Sequence, residues 1–178
     1  MSKKDKYYKN TEKLLYNINA VKRRIHRLEE DICYFSKELE DDKVELRSYQ
    51  TKEYTLDSNG NDGTGGSKYI SDATLEKLVR KEYLEDNIPK LETKIDKTEK
   101  KLEREIREIN RVSDAIEALD EREMLIVNEY YINGKSISSI ANRIHVTDST
   151  VFKTKKQAVG KIAVEIFGIA ALNIEEFK

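Results

Sequence analysis

Stepping alternately by four and three residues from Leu14 gives Leu14, Ile18, Val21, Ile25, Leu28, Ile32, Phe35 and Leu39, all apolar. In a chain that is 38% hydrophobic, such a run in one frame arises by chance at roughly one in two thousand. The intervening positions, among them Lys22, Arg23, Arg24, Arg27, Glu29 and Glu30, are charged, as the solvent face of a coiled coil should be. The seam weakens at Asp42 and resumes at Leu46 and Tyr49.

A second seam follows: Leu84, Ile88, Leu91, Ile95, Thr98, Leu102, Glu105, Ile109, Val112, Ile116 and Leu119, with polar defects at Thr98 and Glu105. Pro89 interrupts it and predicts a kink, or a new helix opening after Asn87, with Ser71 or Asp72 capping the segment before. Between the seams lies DSNGNDGTGGSK, residues 57–68, whose Gly and Asn residues bury nothing and read as a flexible connection. Its spacing fails the EF-hand pattern, since Asp62 and Lys68 stand where Gly and Glu are needed, and it fails the phosphate-loop order as well. Folding about residue 62 predicts an antiparallel helical hairpin. Ile32 then faces Leu91, Ile18 faces Glu105 or Ile109, Tyr7 faces Ile116, and Lys22 neutralises Glu105. A homodimer of parallel first helices is the competing arrangement, and heptads alone do not decide between them.

From Leu119 the period changes to that of short helices. One runs from about Asp120 to Tyr131, with Leu125, Ile126 and Tyr130 on one face, and Asn133-Gly134 ends it. Ser136 caps a second, with Ile137, Ile140, Ala141 and Ile144 inward. His145-Val146-Thr147 forms a turn. A third helix then runs from about Ser149 to Phe167, burying Val151, Thr154, Ala158 and Ile162. The expected fold is all-α: a coiled-coil hairpin over 1–118, then a helix-turn-helix domain over 119–178. Gly160 inside the last helix marks a candidate bend. Ile169, Leu172, Ile174 and Phe177 form an apolar set in the tail, suited to packing back or to a dimer contact.

The outward face of that third helix carries Ser149, Thr150, Phe152, Lys153, Lys156 and Gln157. Hydroxyls there can bond base edges or phosphates, and Phe152 can contact a thymine methyl. Lys153, Lys155, Lys156 and Lys161 are the expected phosphate contacts, each adding ~0.9 to the salt slope of binding. The net charge of −1 gives no global attraction to nucleic acid, so any such surface has to be a local patch.

Residues 136–162, SISSIANRIHVTDSTVFKTKKQAVGKI, resemble the helix-turn-helix of sigma factor region four. Together with the preceding LDEREMLIVNEYYINGK they resemble phage late-gene transcriptional regulators of the ArpU/RinA kind. Those proteins also place a long charged helical segment before a sigma-like domain. The resemblance implies double-stranded DNA as partner, RNA polymerase as a further one, and Asp148, Ser149, Thr150, Phe152 and Lys153 as base-reading positions. Asp148 is acidic where sigma factors often carry a basic residue, which fits a cap.

Other chemistry is sparse. Cys33 stands alone, which excludes an internal disulfide and fits a reducing compartment. His26 and His145 have no second ligand at metal spacing and read as structural, with no cofactor implied. No nucleophile–base set or paired acid emerges, so an enzyme is not expected. No stretch is apolar enough for a membrane span, and the basic start MSKKDKYYKN precedes no apolar run, so a cytoplasmic protein of a bacterial host is expected. If the hairpin closes, Lys3, Lys4, Lys6 and Lys9 lie near the reader. Two rival readings remain: a small terminase-like packaging protein, and a coiled-coil adaptor that binds protein rather than DNA.

Overall fold

A computed structural model of the protein describes residues 3–56 and 72–171. The Gly-rich stretch 57–68, the cap expected at Ser71 and the tail positions Leu172, Ile174 and Phe177 lie outside them, as do the side chains of Lys3, Lys4 and Ile169. Among the described residues every regular element is helical: α1 (Lys3–Leu56), α2 (Asp72–Glu117), α3 (Glu121–Val127), α4 (Ile137–Arg143) and α5 (Asp148–Phe167). A π-helical turn, Asn128–Ile132, extends α3, and a 3-10 turn, Gly168–Ala171, follows α5. The two long helices pack against each other as a hairpin. No described helix is long and apolar enough to cross a membrane.

The chain divides into two compact units, residues 27–102 and residues 1–26 with 103–178. The helices of the C-terminal motif therefore share a unit with both the first turns of α1 and the end of α2.

Within 27–102 the seam residues point inward. Leu28, Leu84, Ile88 and Leu91 are buried, each worth about 1.5–3 kcal/mol of transfer free energy. Asp42 occupies a seam position and is buried too, and its carboxylate accepts from Asn87 Nδ2 at 2.8 Å. Arg80 stands 3.9 Å from Asp42, and it donates to both oxygens of Glu45, at 3.0 and 2.7 Å. This fork holds the Glu45 carboxyl below its ordinary range. The weak point of the seam is thus a polar layer with its partners supplied.

These contacts correct the expected register. Phe35 lies under the Lys94 ammonium and Asp42 meets Asn87, so Leu91 falls at the level of Glu38 and Leu39 rather than Ile32. In the other unit Arg24 meets Glu105 at 3.2 Å, so Arg24, not Lys22, neutralises that defect. The mirror lies halfway between residues 64 and 65 instead of at 62. No new helix opens after Asn87, because α2 continues through Pro89. Pro89 is exposed while Ile88 beside it is buried, so the Glu85 carbonyl that loses its amide partner is on the solvent side.

Within the other unit one core joins all three parts. Leu15 and Ile18 of α1, Val112, Ala115 and Ile116 of α2, and Val159 and Ile162 of α5 belong to it. Tyr131 and Val127 complete it from the α3 side. A smaller core, Ile126, Ile140, Ala141 and Val151, lies beneath the motif itself, flanked by Ile137, Ile144 and Val146. Most of the inward set expected from periodicity is present, but Leu125 and Thr154 are only half-buried and belong to neither core; Gly160 sits within an unbroken helix.

Candidate nucleic-acid interface

The local chemistry of the motif fixes where each helix starts and stops. Asp120 caps α3 by accepting from the Glu123 amide at 2.8 Å, and Glu123 in turn accepts from the Asp120 amide at 3.4 Å, a reciprocal capping box. The π-helical turn ends at Asn133 and Gly134, whose φ of +65° suits glycine. The Lys135 amide reaches back to the Glu129 carbonyl at 2.9 Å, satisfying one of the terminal acceptors. Ser136 caps α4 through the Ser139 amide at 3.2 Å.

The turn into α5 is held more tightly than its sequence suggests. His145 adopts φ +55°, the left-handed region, and the Val146 amide donates to the Ala141 carbonyl at 3.0 Å. Thr147 caps α5, its hydroxyl oxygen accepting from the Thr150 amide at 3.3 Å and lying 2.8 Å from the Thr150 hydroxyl. Asp148 is the first residue of α5, where a carboxylate favours the helix dipole, and it accepts from the Ser138 hydroxyl of α4. Asp148 and Ser138 thereby tie the start of α5 to α4.

The α5 face away from the core carries Ser149, Phe152, Lys153, Lys156 and Gln157, all exposed, with Phe152 at 53%. Lys153 and Lys156 lie one helical turn apart. Thr150 is half-buried, and its hydroxyl is already engaged with Thr147.

Two lysines depart from the expected arrangement. Lys155 is only 7% exposed, because the steps Val151, Lys155, Ala158, Ile162 follow the buried stripe of the helix. Its ammonium lies 4.3 Å from the centre of the Tyr130 ring and 3.6 Å from Glu12 Oε1. The Tyr131 hydroxyl donates to the same Glu12 oxygen at 2.7 Å. Lys155 is thus a packing residue and not a phosphate contact. The stripe spacing carried that signal, but the lysine-rich run KTKK masked it. Lys161 is exposed, yet its ammonium is 2.7 Å from Glu123 Oε1 and 3.7 Å from Asp120, tying α5 to the start of α3. The bond to Glu123 holds the Lys161 ammonium above its ordinary range.

Glu12 was not foreseen as part of the site, and it gathers more than a lysine. Burial, then Glu12, push the Tyr8 phenol up to about 12. Tyr16, hydrogen-bonded to Tyr130 at 3.4 Å, is likewise raised to about 12, and burial raises Tyr131 further still. Asn19 Nδ2 donates to the Ile132 carbonyl at 2.8 Å, a second polar tie from α1. The underside of α5 and the π-helical turn are therefore anchored on α1 by a carboxylate, an amide and a set of protonated tyrosines. Among the described residues no group of three or more His, Cys, Asp or Glu could hold a metal ion.

No family model, curated protein or solved structure matches the chain.

Proposed function

We propose that the protein is a sequence-specific DNA-binding transcriptional regulator, a phage or prophage late-gene activator of the kind its C-terminal region resembles. In this reading the N-terminal half of α5 enters the major groove while α4 crosses the backbone. Ser149, Phe152 and Gln157 meet base edges, and Lys153 and Lys156 neutralise phosphates. Asp148 and Thr150 set the start of the helix rather than reading sequence.

The observation that carries the proposal is the division of α5 into two faces. Its inner face is fully committed to the core, down to the buried Lys155, whereas its outer face presents hydroxyl, amide, aromatic and cationic groups with no core role. The long hairpin serves oligomerisation or docking to a partner such as RNA polymerase. Exposed Leu75, Val79 and Tyr83, on one face of α2 at four-residue spacing, supply apolar surface for it.

Selection of bound fragments from the source genome at physiological salt tests the reading. Enrichment of a promoter is the expected result. Uniform weak retention of all fragments overturns it.

A further inference from the structure

The first turns of α1, the last turns of α2 and the end of α5 enclose a groove of about 730 Å³, within the range of small-ligand sites. Its apolar lining comes from Leu14, Val112, Ile166 and Phe167. Around them stand Lys13, Arg104, Arg107 and Arg111, with Glu108 as the one carboxylate in the lining. The chain as a whole holds 33 basic and 34 acidic residues, so this is a local excess of positive charge. Arg111 is committed, donating to the Ile166 carbonyl at 2.8 Å and so fixing one wall. Arg107 meets Glu103 at 3.3 Å on an exposed face. Lys13 and Arg104 hold no ion pair among the described residues.

We propose that this groove binds an amphipathic organic anion. A carboxylate or phosphate head is received by Lys13 and Arg104, and an apolar body covers Leu14, Ile166 and Phe167. Asn10 and Asn17, also in the lining, offer amides to the head group. A DNA backbone has no apolar body for these walls, and the reading face lies elsewhere: Ile166 is about 21 Å along the helix from Phe152 at 1.5 Å per residue. The inference is independent of the DNA-binding reading.

Calorimetric titration of the full chain with decanoate, decyl phosphate and the uncharged decyl maltoside tests it. Saturable one-to-one binding of the two anions is expected, with decyl maltoside at least about tenfold weaker. The exposed pair Lys13→Glu with Arg104→Glu should weaken decanoate by a similar factor, with helicity and unfolding midpoint measured alongside. A variant that loses helicity is replaced by Lys13→Gln with Arg104→Gln, for which the same weakening is required. No saturable binding, equal binding of the maltoside, or anion binding indifferent to the charge changes overturns the proposal. Competitive displacement of decanoate by duplex DNA also overturns it, since the groove would then belong to a DNA footprint.

Discussion

Glu12 Oε1 stands 3.6 Å from Lys155 Nζ and 2.7 Å from the Tyr131 hydroxyl, so one carboxylate near the start of the chain secures the underside of the last helix. The two charges are unequally sheltered: the Lys155 side chain is 8% exposed and that of Glu12 26%. Removing Glu12 leaves a buried ammonium with only aromatic faces, whereas removing Lys155 leaves a carboxylate that reaches water. Glu12→Gln should therefore cost about 1–3 kcal/mol of stability, and Lys155→Met less. Urea unfolding of both variants checks the order, and a larger loss for Lys155→Met contradicts it.

The same asymmetry separates lysines that pack from the lysines that we propose bind DNA. Lys153→Ala with Lys156→Ala should weaken DNA binding across all sequences and lower the salt slope by about 1.8, while the unfolding midpoint stays put. Lys161→Ala should do the opposite, loosening the tie to Glu123 with little change in salt slope. Binding isotherms over a range of salt concentrations, paired with thermal melts, distinguish the two behaviours.

Tyrosine ionisation supplies a pH signature. Tyr8 and Tyr16 have folded values raised to about 12, above the ordinary value of 10.0, so the folded state holds these protons more tightly. Stability from this source is fully present below about pH 10 and is lost as pH rises toward 12. Tyr8→Phe removes one titrating group and should flatten the fall of the unfolding midpoint over that window. An unchanged slope would show that Tyr8 ionises alike in both states.

Backbone positions give a further contrast. A Cβ added at Gly160 meets nothing within 4 Å, and its helix is unbroken, so Gly160→Ala should stabilise by up to ~1 kcal/mol. Gly134, at φ +65°, has equal space but the wrong backbone angle, and Gly134→Ala should destabilise by about 1 kcal/mol. Opposite signs in thermal melts are the expected outcome.

Much of this fold was legible in the sequence, for reasons that differ by element. The seams from Leu14 to Leu39 and from Leu84 to Leu119 announced themselves because a coiled coil repeats one packing rule many times. Ser136 and Gly134, and the turn at His145, were readable because caps, helix ends and turns are local decisions. The register was not, since heptads repeat identically along each seam and leave the mirror free to slide; it falls where Asp42 meets Asn87 and Arg24 meets Glu105. The outer face Ser149, Phe152, Lys153, Lys156 and Gln157 followed from helical spacing. The burial of Lys155 was present in the same spacing but needed Glu12, 143 positions away, to make sense of a cation there. Such long-range pairs leave no local mark.

The core that joins Leu15 and Ile18 to Val159 and Ile162 sets an order of events during synthesis. The first turns of α1 leave the ribosome before their partners exist, so Leu15 and Ile18 are covered in two stages, first by Val112, Ala115 and Ile116 of α2 and then by Val159 and Ile162 of α5. A prematurely terminated product lacking α5 would keep the α5-facing part of that apolar surface bare, a feature that chaperones and proteases recognise.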